Sequence, residues 1–391
     1  MNTTTFLKRK IRVLVVDDSA IARKIITESL AGVSDIEVVG TAVDPYNARD
    51  QILKLSPDVL TLDIEMPKMD GLTFLRLIMQ HKPMPVIIMS SLTTAGSAKA
   101  MEALEAGAVD VMDKPRGSYS AYDDGSRLAA KIRAAACARL RRSPLANGGA
   151  PATPTHPNAA APAARPGATT HITRAGAVPT APRPNATVRH FHPRKLILIG
   201  ASTGGPEALN VLMRELSGDL PGICIVQHIP ACFSKALADR LNRNCRMEVR
   251  EAVQGDVIKP GLAIMAPGGY HMLVRWTGSH YSVDLNQGPP LHHQRPAVDV
   301  LFDTAVKAGA GPHVTAALLT GMGADGAAGL LKLKEAGATT IAQDEESCVV
   351  FGMPKEAIKL GAAQHILPLQ QIARKLEQFV TQGSAAAAKA A

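Results

Sequence analysis

Residues 11–30, IRVLVVDDSAIARKIITESL, decide how the chain begins to fold. The β-rich run IRVLVVDD ends in two carboxylates, and SAIARKIITESL then repeats apolar positions at helical spacing, so a helix follows a strand. The alternation continues through VVG, PYNARDQILKL, PDVLTLDIEMP, DGLTFLRLIM, PVIIMSS, AKAMEALEAG and AVDVMDKP. Five strand-like runs interleaved with helix-like ones predict an α/β domain of (βα)5 type, its parallel sheet covered on both faces.

The pattern stops at residues 143–193, which hold 10 prolines and 13 alanines and almost no bulky apolar side chain. Alanine alone cannot offset the entropy of ordering and proline blocks regular hydrogen bonding, so this stretch reads as a flexible linker. Order returns at Lys195 with KLILIGASTGG, PEALNVLMREL, GICIVQHIP, ALADRLN, GLAIMAPGG, HVTAALLTGMGADGAAGLLKLKEAG and TTIAQD. This second alternation predicts a doubly wound parallel sheet. The expected division is a first domain over 1–127, a linker over 128–193, a second domain over 194–381 and a disordered tail over 382–391.

A length of 391 residues suits two or three domains with real cores. The net charge of +9 invites a nucleic-acid reading, but it is local. Between Gly125 and Pro206 there are twelve Lys and Arg and no Asp or Glu, so the rest of the chain is net negative. The basicity therefore belongs to the hinge, and no nucleic-acid partner is expected. Five cysteines without a CxxC pair argue against a disulfide scaffold and for a reducing compartment. MNTTTFLKRK contains no long apolar signal core, and no apolar run reaches membrane-spanning length, so a cytoplasmic chain without membrane insertion is expected.

In the first domain Asp17 and Asp18 close the first strand, Asp63 the third, Ser90 the fourth and Lys114 the fifth. Strand ends of an open α/β sheet gather on one edge, where ligands bind. Three carboxylates meeting there repel one another unless a cation sits among them, and all-oxygen ligands beside a phosphoryl group suit Mg²⁺. Singly, each Asp is an ordinary turn or cap residue; the conjunction points to phosphoryl chemistry on Asp63 with Lys114 and Ser90 contacting the added group. VLVVDDSA, LTLDIEMPKMDG, IIMSS and VMDKP, in that order, resemble the response-regulator receiver domain over about residues 10–125. The resemblance implies phosphorylation of Asp63 by a histidine kinase, Mg²⁺ held by Asp18, Asp63 and the backbone of Glu65 with help from Asp17, and a cis bond before Pro115. Val111 stands where that family often carries an aromatic switch residue.

In the second domain GASTGG follows the strand LILI and precedes a helix, a tight turn able to present the Ser202 hydroxyl. Helix capping by Ser202 is the plain structural alternative. GASTGG lacks the G-x-G-x-x-G order of a dinucleotide site. The next strand, GICIVQHIP, ends in His228, one helix and one strand after Ser202, where it could accept the serine proton. Asp325, after the strand AALLT, is a helix-start cap in isolation but could orient the imidazole. The order Ser, His, Asp differs from that of α/β hydrolases, trypsin-like and subtilisin-like enzymes. His271, His292, His293 and His313 match no compact zinc spacing, and no metal is expected in this domain.

IGASTGGP, VQHIP, MAPGGYHM, GPPLHHQRPAVDVLF, LLTGMGADGA and AQDEESCVVFGMP resemble the chemotaxis protein-glutamate methylesterase and glutaminase family over about residues 195–370. The resemblance implies a catalytic Ser202, His228 and Asp325, an oxyanion contribution from the Met322 amide, and Thr203 beside the nucleophile. It further implies hydrolysis of glutamate methyl esters and deamidation of glutamines on chemoreceptor cytoplasmic domains, a chemotaxis histidine kinase as phosphoryl donor, and recruitment to chemoreceptor arrays. A receiver lying across the Ser202 edge until Asp63 is phosphorylated is the expected control. A DNA-binding output domain and a catalytically silent adaptor are the rival classes; the first predicts a helix-turn-helix, the second no reaction with a serine probe.

Overall fold

The computed structural model describes residues 9–91, 93–114, 121–140 and 191–388. Pro115 and most of the linker, 141–190, lie outside the described residues. The N-terminal half alternates strands β1 (Ile11–Val16), β2 (Ile36–Ala42), β3 (Val59–Asp63), β4 (Val86–Ser90) and β5 (Asp110–Asp113) with helices. The helices are α1 (Ala20–Ala31), α2 (Pro45–Leu55), α3 (Gly71–His81), α4 (Thr94–Glu105) and α5 (Ala121–Ala136). The sheet is parallel, in the order β2-β1-β3-β4-β5. Its strand order reverses between β1 and β3, so the crevice for a ligand opens where Asp17, Asp18 and Asp63 emerge. Each of the first four helices starts on a capping side chain, Ser19, Asp44, Asp70 or Thr93, that accepts a first-turn amide; each cap contributes about 1 kcal/mol.

The C-terminal half contains β6 (Leu196–Ala201), α6 (Gly205–Glu215), β7 (Ile223–Gln227), α7 (Ala231–Asn244), β8 (Glu248–Glu251), β9 (Val257–Ile258) and β10 (Leu262–Met265). It continues with β11 (His271–Trp276), β12 (Tyr281–Asn286), α8 (Val298–Lys307), β13 (Val314–Leu318) and α9 (Ala327–Glu335), and closes with β14 (Thr339–Gln343), α10 (Met353–Lys359), β15 (His365–Leu367) and α11 (Leu369–Ala388). Seven strands form one parallel sheet in the order β15-β14-β13-β6-β7-β10-β8. The chain winds outward from β6 on one side and returns at β13 on the other, which makes the ends of β6 and β13 the switch point of the sheet. Leu196, Ile197, Leu198 and Ile199 on β6 are all fully buried, as a strand covered on both faces requires. Among the described residues the C-terminal half is this sheet with its helices and a second, smaller sheet, with no helix-turn-helix reader.

One feature adds to the expected fold, and two expected bounds differ from the structure. A three-stranded antiparallel sheet, β11-β12-β9, stands beside the main one; its strands alternate inward residues such as Met272, Val274, Tyr281 and Val283 with outward ones around a Thr277-Gly278-Ser279 turn, a period-two pattern not singled out above. The linker does not begin at residue 128: Leu128, Ala129, Ile132 and Ala135 of α5 are buried in the core under β1 and β4. The C-terminal tail is not irregular from residue 382, because α11 continues to Ala388. Among the described residues none of the five cysteines is joined in a disulfide. No helix among the described residues is long and apolar enough to cross a membrane.

Candidate active site

At the end of β6 the chain turns through Ser202 into α6. Gly204 takes a left-handed backbone (φ 77°), and a side-chain carbon there would lie 2.5 Å from Val349, so only glycine fits. The Ser202 amide donates to the Thr320 carbonyl at 3.0 Å, and its carbonyl accepts from the Gly205 amide at 2.7 Å and Gln227 Nε2 at 2.8 Å. Gln227 Nε2 also donates to the His228 carbonyl at 3.0 Å. One buried side-chain amide thus fixes the main chain of both residues. Sequence reasoning passed over Gln227 because a glutamine beside a histidine carries no motif.

β6 and β7 pair in parallel with Ala201 opposite Gln227, so the residues that follow them come out side by side. Ser202 Oγ lies 3.1 Å from His228 Nδ1, and His228 Nε2 lies 2.7 Å from Asp325 Oδ2. All three side chains are buried. Asp325 comes from the loop after β13, and its carboxylate accepts the first amides of α8, Val298 N–H to Oδ2 at 2.7 Å and Asp299 N–H to Oδ1 at 2.9 Å. A negative charge at the positive end of a helix is favoured. Burial pushes the Asp325 carboxyl up, but the His228 hydrogen bond and charge with the two amides outweigh it and hold the group below its ordinary value. An ionised Asp325 requires the proton on Nε2, which leaves Nδ1 to accept from the Ser202 hydroxyl. The ring is turned round relative to the trypsin-like arrangement, in which Nε2 faces the serine.

Met322 lies on the loop between β13 and Asp325, and its amide is taken by no acceptor among the described residues. Gly321 gives that loop its close approach: a side-chain carbon there would come within 2.6 Å of Ser202 Cβ and 2.4 Å of Met353 Sδ. Thr203 turns away from the crevice and donates its hydroxyl to Asp110 Oδ2 of β5 at 2.8 Å. Lys131 of α5 pairs with the other oxygen of Asp110 at 2.7 Å. Around this contact Ser97 of α4 donates to the Cys232 carbonyl at 2.8 Å, Arg240 bridges Glu105 of α4 and Glu207 of α6 at 2.7 Å each, and Arg139 binds the Val349 carbonyl and Glu345. The N-terminal domain therefore touches the residue next to Ser202. Asp110, Arg139 and Arg240 look like ordinary surface charges in the sequence, and only the packing of two domains reveals them.

In the N-terminal domain Lys114 Nζ lies 2.8 Å from Asp63 Oδ2 and 3.0 Å from Asp17 Oδ2. The Glu65 amide donates to Asp63 Oδ1 at 3.2 Å and the Ser19 amide to Asp17 Oδ1 at 2.9 Å. Burial, reinforced by the neighbouring Asp17 charge, lifts the Asp63 carboxyl to about 6 against the Lys114 hydrogen bond. Burial works against the charge of Lys114, but Asp63 and Asp17 outweigh it and raise that group. Asp17, Asp18 and Asp63 each offer a carboxylate oxygen within 4.8 Å of the others, a hard donor set that fits Mg²⁺. Ser90 is buried and donates to the Gly96 carbonyl at 3.1 Å. Val111 is core, packed under the sheet without an aromatic ring to flip.

The four histidines singled out above do not converge. His313 stacks on His192, and His271 meets the Pro289 carbonyl. His292 does approach Asp299 and Asp325, with donor atoms of the three within 4.8 Å of one another, a proximity that spacing alone does not foretell. Both oxygens of Asp325 are already occupied by His228 and the α8 amides, so the group is a hydrogen-bonded chain.

An acidic, lysine-bearing strand edge joined to a buried Ser–His–Asp row on a doubly wound sheet defines a two-domain α/β protein with a receiver in front of a serine-hydrolase-like body. Residues 13–119 match the family described as response regulator receiver domain and residues 197–376 the family described as CheB methylesterase. The chain is 49% identical over 95% of its length to protein-glutamate methylesterase/protein-glutamine glutaminase 2 of Syntrophus aciditrophicus, covering 99% of that protein. It is 46% identical over 94% of its length to the protein-glutamate methylesterase/protein-glutamine glutaminase of Nitrosomonas europaea, covering 96% of it. Among solved structures, the CheB methylesterase catalytic domain of Thermotoga maritima is 40% identical and covers 47% of this chain and 98% of that one, with a TM-score of 0.46. The chain belongs to the protein-glutamate methylesterase/protein-glutamine glutaminase family.

Proposed function

We propose that the protein hydrolyses γ-glutamyl methyl esters on chemoreceptor cytoplasmic domains, releasing methanol, and deamidates receptor glutamines to glutamates. The observation that carries this reading is the buried row Ser202–His228–Asp325, at 3.1 and 2.7 Å, with Asp325 on the α8 amides. Ser202 Oγ attacks the ester carbonyl while His228 Nδ1 takes its proton. The Met322 amide donates to the oxyanion. His228 returns the proton to the departing methoxide, and water, activated by the same ring, then frees the glutamate and restores Ser202. A glutamine substrate follows the same acyl route with ammonia leaving.

The receiver is the control element of this reading. Asp63 accepts the phosphoryl group from a chemotaxis histidine kinase, with Lys114 and Ser90 placed to contact it. Asp17, Asp18, Asp63 and the Glu65 backbone would hold Mg²⁺, which supplies charge neutralisation among the carboxylates when bound. The Asp110–Thr203 contact supports a receiver that covers the Ser202 edge and is released on phosphorylation. We place the receiver at residues 1–140 and the esterase from 191 onward, in the cytoplasm at chemoreceptor arrays. Methanol release from methylated receptor tests the reading. Wild type should turn over faster with a small phosphoryl donor, Asp63→Asn should not respond, and Ser202→Ala should be silent; a Ser202→Ala protein that still releases methanol overturns it.

A further inference from the structure

Asp325 does not have the start of α8 to itself. Asp299, the second residue of that helix, is also buried, and the backbone amide it contributes to Asp325 places the two acids as immediate neighbours. Asp299 Oδ1 accepts the Gly329 amide of α9 at 2.6 Å, and its Oδ2 lies 3.2 Å from His292 Nε2. Two buried carboxylates at one helix end repel unless one carries a proton or a counter-charge. Burial first, and the Asp325 charge second, raise the Asp299 carboxyl above its ordinary value. His292 is the group that answers this charge. It sits in the loop over 287–296, half exposed, and both it and His293 take left-handed backbones (φ 52° and 60°), a conformation non-glycine residues adopt at a cost.

The other charges facing Asp299 are already engaged. Asp303, one turn further along α8, pairs with Lys307 at 2.6 Å and with Lys332 of α9 at 2.7 Å. His271 of β11 is held by the Pro289 carbonyl and the Ala297 amide. Lys332 feels the Asp299 charge but spends its ammonium on Asp303.

We propose that His292 and Asp299 form a second His–Asp couple behind the first, a positioning pair that shares one proton so that Asp325 presents a single negative charge to His228. Neither residue touches the substrate; they act through Asp325. The pair is neutral whether the proton sits on the imidazole or on the carboxyl, and the strained loop is the means by which the imidazole reaches the acid. Removing His292 leaves Asp299 as an uncompensated charge behind Asp325, which favours the protonated form of His228 and so withdraws the base. Removing the Asp299 charge as well makes His292 dispensable.

The inference rests on the esterase reading of Ser202, His228 and Asp325, and the experiment separates the two. The pH dependence of kcat/KM for methanol release is measured on the full-length chain with a small phosphoryl donor, for wild type, His292→Gln, Asp299→Asn, the double variant and Ser202→Ala. His292→Gln should move the acid limb upward by about one pH unit and slow turnover at pH 6.5 by roughly fivefold, whereas the double variant should return the limb to its wild-type position. An unmoved limb in His292→Gln, or a displaced limb that Asp299→Asn does not restore, overturns the couple. Activity in Ser202→Ala would overturn the esterase reading instead.

Discussion

The two strand edges of this protein carry similar numbers of charged and polar groups and treat them in opposite ways. On the receiver edge three carboxylates face one ammonium, and burial with mutual repulsion lifts Asp63 to about 6. On the esterase edge Asp325 is just as buried, yet three donors, His228 Nε2 and the two helix amides of Val298 and Asp299, hold it below its ordinary value. The first edge is left short of positive charge and can take up a cation and a phosphoryl group. The second is completed from within and needs nothing but substrate. On the proposed function, unmet electrostatic demand marks the site that receives a signal and satisfied demand the one that performs a reaction.

That contrast can be broken experimentally, most severely at the satisfied edge. Ser202→Ala should reduce methanol release by about 10⁴-fold or more, and Asp325→Asn by roughly 10³–10⁴-fold because an amide no longer fixes the proton on Nε2. Equal activity of Asp325→Asn and wild type would show that the row is not pre-organised by charge. Between the edges the expected effect is smaller. Asp110→Asn replaces a charge-assisted bond to Thr203 by a neutral one, a loss of about 1 kcal/mol, so basal turnover without phosphoryl donor should rise about fivefold. The rate with donor should stay the same; a basal rate that does not move would separate the contact from control.

The smallest effect concerns the unsatisfied edge and is read in stability. The folded-state value of Asp63, about 6, lies above that of an unfolded aspartate near 3.9. Ionisation therefore costs the folded receiver, fully above pH 6 and not at all below about 4. With divalent cations chelated, Asp63→Asn should stabilise the receiver by about 1–2 kcal/mol at pH 7.5, a gain that fades as the pH falls towards 4. Denaturant unfolding at the two pH values checks it, and a gain independent of pH would mean that the charge of Asp63 is not the cause.

What could be read from the sequence was whatever lies at a strand end. Asp17, Asp63, Ser90, Lys114, Ser202 and His228 all follow short apolar runs, and the parallel sheet brings such ends together whatever the details of packing. Asp325 follows a strand too, and GMGAD marked it. The antiparallel pair β11 and β12 was legible in principle, since Met272, Val274, Tyr281 and Val283 alternate inward around a Gly turn, but it lies off the main alternation. The rest depends on tertiary contact. Nothing local says that Asp110 reaches Thr203, that Gln227 holds two carbonyls, that His292 faces Asp299, or which nitrogen of His228 meets the serine. These are relations between residues far apart in the chain, set by how layers stack.

β5 acquires a particular meaning from its place. It is four residues long, with Lys114 just past one end and Asp110 at the other. It is also the outer strand of the sheet, paired through β4 alone. Four residues span about 13 Å at a rise near 3.3 Å each, so the lysine that meets Asp63 and the acid that meets Thr203 are the two tips of one short, stiff rod. An outer strand is held along one side only, so a displacement at the lysine tip breaks half the ladder that an inner strand would have to break. The receiver thus places its chemistry and its grip on the esterase at opposite ends of the piece of its sheet that is easiest to slide.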